Sequence, residues 1–236
     1  VSALTRLDHM PTMYQSVHVP GARQRNTRFK GMRFHEKGTV SPVAPTSLGK
    51  SYLQELANSF QSLRDHESGV IAEVSRVAAK MLRDGHNVHA FLVQHFPIHQ
   101  HGAPGDPVLM QRIERSAGET PSTSQLEEKL KSGDLFMMVG YYRRPREAYA
   151  VAHGRGVRTV EVISGTDEPE RGGPQPDYVI RPYWPYGDAV VAVPGYDVKI
   201  LPSSGIVQAA IYWAVVGSMV HELDEMHRYP ESPCGQ

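Results

Sequence analysis

The sequence predicts an α/β fold: a three-layer sandwich with a parallel sheet of about five strands, preceded by an extended N-terminal arm. Three observations carry the prediction. Short, nearly continuous apolar runs near 87–93, 135–139, 157–163 and 188–193 read as strands covered on both faces. Segments of helical spacing separate them, and strand, helix, strand at this distance gives right-handed crossovers between parallel strands. The 236 residues, 40% apolar and 21% charged, are enough for one sizeable core and exclude wholesale disorder.

Taken in order, residues 1–47 carry no sustained period and are broken by Pro11, Pro20, Pro42 and Pro45, so they read as an arm without its own core. The arm is either a disordered tail or a segment that wraps its own body or a neighbouring subunit. Its Met10, Met13, Tyr14, Phe29, Met32 and Phe34 favour wrapping, because large apolar side chains gain by lying on a surface. Charge favours it too: residues 1–50 hold eight Lys/Arg against two acids, while the chain as a whole is neutral. This arm is also the expected route to a homo-oligomer.

Helical spacing begins at Ser51, with Tyr52, Leu53, Leu56, Ala57, Phe60 and Leu63 on one face. It resumes after Ser68-Gly69 with Val70, Ile71, Val74, Val77, Ala78, Met81 and Leu82. The strand at 87–93 follows Asp84-Gly85. Helices are expected at about 107–117 and, capped by Ser124, at about 124–131; Gly133-Asp134 then introduces the strand 135–139. Pro145 suits a first helical turn, and Arg146 to Arg155 reads as a crossover helix ended by Gly156 before the strand 157–163. Residues 165–187 form a long irregular segment, with a short strand at Tyr178-Val-Ile180. Asp188 to Val193 is read as the last strand of the sheet, with Asp197 to Leu201 extending or flanking it. Ser203 caps an apolar helix to about Met226 that buries Ile206, Ala209, Ala210, Trp213, Val216, Gly217 and Val220. The expected domains are therefore the arm 1–47, an α/β domain 48–228 and a tail 229–236.

In this order the elements resemble the sugar isomerase (SIS) domain family of phosphosugar-binding proteins. Tyr52-Leu-Gln-Glu-Leu with Gly85-His-Asn-Val-His-Ala-Phe looks like that family's leading helices and first strand. Gly133-Asp134 to Gly140 and Gly156 to Ser164 are similar to its second and third strands. Asp188 to Val193 with Leu201-Pro-Ser-Ser-Gly to Ile211 looks like its last strand and small-residue helix start. The resemblance covers about 51–226. It implies a phosphosugar ligand, aldose–ketose isomerisation as an activity, and dimers. One departure stands out: where the family usually has a Ser-rich loop to hold the sugar phosphate, this chain has Gly140-Tyr-Tyr-Arg-Arg-Pro145.

Arg143 and Arg144 could hold an anion through their guanidinium forks, aided by the helix start that follows, or could pair with acids at a subunit contact. Tyr141 belongs to the same loop. His95, His99 and His101 follow the carboxyl end of the first strand, the edge at which open α/β sheets bind ligands. Such a loop is either solvated or supplies acid/base groups, and no metal is expected there, since no acid follows at ligand spacing before Asp106. His95, His99 and Glu147 are the candidate catalytic groups, and His101 is a candidate ligand contact. Ser203 and Ser204 open the last helix, where free N–H groups bind an anion or are merely capped. Tyr183-Trp-Pro-Tyr186 could stack on a sugar or anchor an interface. His221 to His227 lacks the second His of a metal helix and reads as a solvated helix end.

No dinucleotide or P-loop pattern is present, and no cofactor is expected. The balanced charge marks neither nucleic acid nor a membrane surface as partner. Gly205 to Val220 is short for a membrane span, so a soluble protein is expected. The lone Cys234 precludes an intramolecular disulfide and leaves the compartment open; the cytoplasm is favoured, while the start at Val1 leaves room for a removed leader. Two functions follow: a phosphosugar-binding domain with aldose–ketose isomerase activity, or a catalytically silent SIS-like assembly, structural or sensor subunit. The missing Ser-rich loop favours the second; the histidine loop and the Ser203 helix start favour the first.

Overall fold

The structure, a computed structural model, describes residues 11–17, 19–34, 42–93, 105–115, 120–164 and 173–228. The chain forms two compact units: Val1–Ser62 with Tyr183–Ser204, and Leu63–Pro182 with Gly205–Gln236.

The second unit holds the sheet. Strands β1 (Val88–Leu92), β2 (Gln111–Arg112), β3 (Leu135–Val139), β4 (Arg158–Val162) and β5 (Tyr178–Val179) are all parallel, in the order β2-β1-β3-β4-β5. The central register aligns Val88 with Leu135 and Leu135 with Arg158. Because side chains alternate along a strand, Phe91, Phe136 and Met138 face one side, where they meet Leu126 of α4 (Thr123–Lys129) and Tyr149 of α5 (Arg146–Gly154). The other face lies toward α3 (Ser68–Arg83) and α6 (Ser204–Arg228), which are tied together where the Ser75 hydroxyl donates to the Val215 carbonyl (3.2 Å).

Two expected elements differ. In place of a helix at 107–117 the chain forms edge strand β2: Met110 and Ile113 are buried at a spacing of three, as a helix would bury them, yet Gln111 and Arg112 between them pair with His89 and Ala90. Pairing there satisfies backbone groups that β1 would otherwise leave open. The run at 188–193 is not a sheet strand. Val191 instead pairs antiparallel with Ile200, because the Pro194-Gly195 turn returns the chain within a few residues and a local hairpin forms more readily than a distant parallel pairing. The flanking role read for Asp197 to Leu201 is the one observed.

That hairpin belongs to the first unit, with α1 (Ala22–Thr27) and most of α2 (Ser47–His66). Val43, Val190, Val191, Val193 and Ile200 form its core, with Met13 of the arm packed against them. Arg25, almost fully buried, grips Asp197 with Nε (2.6 Å) and Nη2 (2.5 Å) and donates to the Met13 carbonyl (2.8 Å). Tyr196 donates its hydroxyl to the Pro11 carbonyl (2.8 Å). The described part of the arm thus packs on its own chain.

Two helices bury faces that differ from those their sequences suggest, narrower in α2 and shifted in α6, where Val216 is buried as expected. In α2, Leu56, Ser59 and Leu63 are buried, while Leu53, Ala57 and Phe60 are exposed. In α6, Val207, Gln208, Ile211, Val215 and Met219 are buried, while Ile206, Gly217 and Val220 are exposed. Among the described residues α6 alone is long and apolar enough to cross a membrane by length and composition, a test that core helices also pass.

Candidate functional site

The carboxyl edge of the sheet is where this architecture presents ligand-binding loops. At the end of β3 the Gly140 N–H donates to the Val162 carbonyl (2.9 Å), and the Gly140 carbonyl accepts Nε2 of Gln208 (2.6 Å). A Cβ at residue 140 would lie 2.9 Å from both Ile163 Cγ1 and Met138 Cε, so glycine permits this close approach. The next two residues turn inward. Tyr141 and Tyr142 are buried, their rings 4.0 Å apart and inclined by 47°, in one cluster with Phe136 and Ile163. Tyr141, expected to touch ligand, is a core side chain here, because its apolar ring area outweighs the loop's polarity.

Arg144 is fully engaged. Its Nε lies 3.0 and 3.1 Å from the two Glu161 carboxylate oxygens, its Nη2 is 2.8 Å from Oε1, and its Nη1 is 3.3 Å from Gln175 Oε1. Glu161 sits inside β4 and is buried, where a carboxylate is tolerated only when paired. The Tyr149 hydroxyl donates to Glu161 Oε2 (2.8 Å), and burial, then the Glu161 charge, drive its pKa far above that of an ordinary phenol. Arg144 therefore serves an intramolecular ion pair, as the pairing alternative anticipated, although with a residue of its own chain. Arg143 beside it is exposed. Glu147 is exposed in the first turn of α5, where the helix dipole favours a carboxylate. His95, His99 and His101 lie outside the described residues.

Ser203 and Ser204 belong to the first unit, and their N–H groups are already occupied. Asp188 Oδ1 accepts both backbone N–H groups (2.9 and 2.8 Å), and Oδ2 accepts the Ser204 hydroxyl (2.6 Å). The hairpin explains this: with residue 191 opposite 200 and 190 opposite 201, residue 188 falls opposite 203. An internal carboxylate thus stands where an anionic ligand was expected.

Sequence reasoning missed three of these groups. Glu161 was visible as an acid inside the apolar run Thr159 to Ile163, a place that demands a partner. Gln208 was visible as the one amide in the uncharged stretch 205–220. Asp188 gave no signal as a cap, since its role depends on the hairpin. Among the described residues no group of three or more His, Cys, Asp or Glu side chains could hold a metal.

Compared with known proteins, no family model and no curated protein matches the sequence. Solved structures do match. A phosphoheptose isomerase from Francisella tularensis superimposes with a TM-score of 0.54 at 10% identity, over 78% of this chain and 100% of that one. The chain has the sugar isomerase (SIS) domain fold. Also similar are the NanR protein of Vibrio vulnificus complexed with ManNAc-6P (TM-score 0.44, 11% identity, 78% of this chain and 69% of that one) and the sugar isomerase domain of an RpiR transcription factor from Sphaerobacter thermophilus (0.40, 18%, 78% and 99%). Within the SIS fold this chain fills the loop after β3 with two buried tyrosines and an ion-paired arginine, where the resemblance leads one to expect serine hydroxyls.

Proposed function

We propose that this SIS-fold protein binds a phosphorylated sugar without isomerising it, as a sensor or an assembly subunit. The observation that carries this reading is the division of labour between adjacent arginines. Arg144 is spent on Glu161, while Arg143 stays exposed beside the start of α5, where a phosphate would gain a guanidinium fork and the helix's partial positive charge. The serine hydroxyls that would cradle and orient a reacting sugar are replaced by buried tyrosine rings, and this speaks for binding over turnover.

The test is calorimetric titration with hexose and pentose phosphates at low salt, paired with an isomerisation assay on the same preparation. Binding without turnover, weakened about tenfold or more in Arg143→Ala, supports the reading. Turnover that falls in His95→Ala, His99→Ala or Glu147→Gln would replace it by the isomerase. No heat and no thermal shift with any of these ligands would remove the phosphosugar altogether.

A further inference from the structure

A cavity of about 650 Å³ opens at the opposite, amino edge of the sheet, wholly within the second unit. Its origin is local. A parallel strand is normally covered on both faces by crossover helices, but β2 is two residues long and residues 107–110 reach it without forming a helix. The space between the ends of α3 and α6 is therefore left open. Leu82, Val88, Met110, Leu223 and Met226 make its walls apolar, and Val108 leaves a large apolar side chain exposed beside it.

Among the described residues, the charged side chains that line the cavity are Arg83 and Arg112, beside the polar Asn87, Gln111 and His227, and no Asp or Glu lines it. Arg83 is paired with Asp84 (3.0 Å). Arg112 reaches Glu114 through Nη2 at 3.3 Å, and Glu114 is well exposed, so the pair is weak and leaves most of the guanidinium's attraction available. The carboxyl end of α3 adds little opposing charge, because the carbonyls of Lys80, Met81 and Leu82 are turned onto the N–H groups of Asp84, His86 and Gly85. The volume falls in the range of small-molecule sites, and apolar walls with a few convergent polar groups are their usual composition. We propose that this cavity binds an apolar carboxylate, its body against Leu82, Met110, Leu223 and Met226 and its carboxylate toward Arg112.

The full chain should be titrated with decanoate and with 2-naphthoate, and with decanol as the uncharged control, reading heat and melting temperature. We expect at least one carboxylate to bind, decanol to bind at least tenfold more weakly, and Arg112→Gln to weaken the carboxylate about tenfold. Leu223→Trp, which fills the cavity and leaves Arg112 in place, should abolish binding. Binding of decanoate alone or naphthoate alone supports the site and fixes the ligand's body as a chain or a ring. Failure of both carboxylates to bind, equal binding of decanol, unchanged affinity in Arg112→Gln or displacement by a hexose phosphate would each overturn it; the last would mean that the carboxylate occupies the sugar site at the other edge.

Discussion

Asp188 and Ser204 are joined twice: Oδ1 of the carboxylate accepts the serine backbone N–H at 2.8 Å, and Oδ2 accepts its hydroxyl at 2.6 Å. Asp188 is buried and adopts a left-handed backbone (φ 49), which Asp tolerates better than most residues. An N-cap normally comes from the residue before the helix; here it comes from 16 positions upstream, delivered by a hairpin. The last helix thereby carries its own anion.

Asp188→Gly should expose this directly. Glycine fits the left-handed backbone, so the change chiefly removes the carboxylate and leaves two N–H groups and one hydroxyl to find other partners. A loss of about 1–3 kcal/mol is expected in urea denaturation. Inorganic phosphate should then raise the melting temperature of the variant by more than it raises that of the wild type. Equal phosphate responses in the two proteins would show that the carboxylate does not occupy an anion's place.

The Arg144–Glu161–Tyr149 cluster predicts a ranked series. Tyr149→Phe removes one hydrogen bond to a carboxylate that keeps Arg144, and should cost about 1.5 kcal/mol, the low end for a charged acceptor. Glu161→Gln keeps an acceptor for Tyr149 but removes the charge facing Arg144, so it should cost more. Glu161→Ala takes the acceptor from Tyr149 and the facing charge from Arg144 and should cost most, about 2–3 kcal/mol, below the usual figure for a broken buried pair because Arg144 is 26% exposed, keeps Gln175 and can turn to water. Equilibrium unfolding of the three variants checks the order, and a reversed order would assign the cluster's stability to packing.

The arm gives a third test. Asp197→Ala leaves the almost buried Arg25 guanidinium without its bidentate partner, though its bond to the Met13 carbonyl persists. With Asp197 half exposed, about 1–2 kcal/mol is the expected loss. Limited proteolysis should then cut within residues 11–34 sooner than in the wild type. Unchanged cleavage would mean that Tyr196 and the apolar contacts of Met13 hold the arm alone.

The central strands and crossovers were legible in the sequence because their cause is local. Buried parallel strands favour nearly continuous apolar runs: Leu135–Val139 is wholly apolar, Val88–Leu92 is interrupted only by His89, and Arg158–Val162 keeps Val160 and Val162 between polar residues and runs on into Ile163. The edge was not legible. Two-residue strands carry no period, and the buried pair Met110 and Ile113 suits a helix as well as an edge strand. The run 188–193 has the composition of a sheet strand, and only the return at Pro194-Gly195 decides its partner. The site was legible as segments and not as contacts: that Arg144 finds Glu161 and Ser204 finds Asp188 depends on register, which composition does not encode.

The buried pair of His89 and Asp134 predicts how stability responds to acid. Nε2 of His89 lies 3.1 Å from Asp134 Oδ2, and both residues are almost fully buried. Burial holds the imidazole below its ordinary value of 6.5, against the opposing hydrogen bond and charge of Asp134, so His89 is neutral, donates from Nε2 and leaves Nδ1 as an acceptor without a partner. Burial would raise Asp134, but hydrogen bonds from the N–H groups of Asn87 and Lys131 and from His89 together hold it below the usual 3.8. The signs follow from which state binds more protons. Between the depressed folded pKa of His89 and about 6.5, the unfolded chain takes up a proton that the folded chain refuses, so stability falls as pH drops through that window. Asp134 contributes stability above its unfolded value, lost only as pH falls further, through its depressed folded value. His89→Gln cannot be protonated, yet its amide can still donate to Asp134. Denaturant unfolding of both proteins at about pH 7.5, 6.5, 5.5 and 5 should therefore show the wild type losing stability faster than the variant below about pH 6.5. Parallel curves over that interval would mean that His89 titrates alike in the folded and unfolded chains, and that the acid sensitivity lies elsewhere.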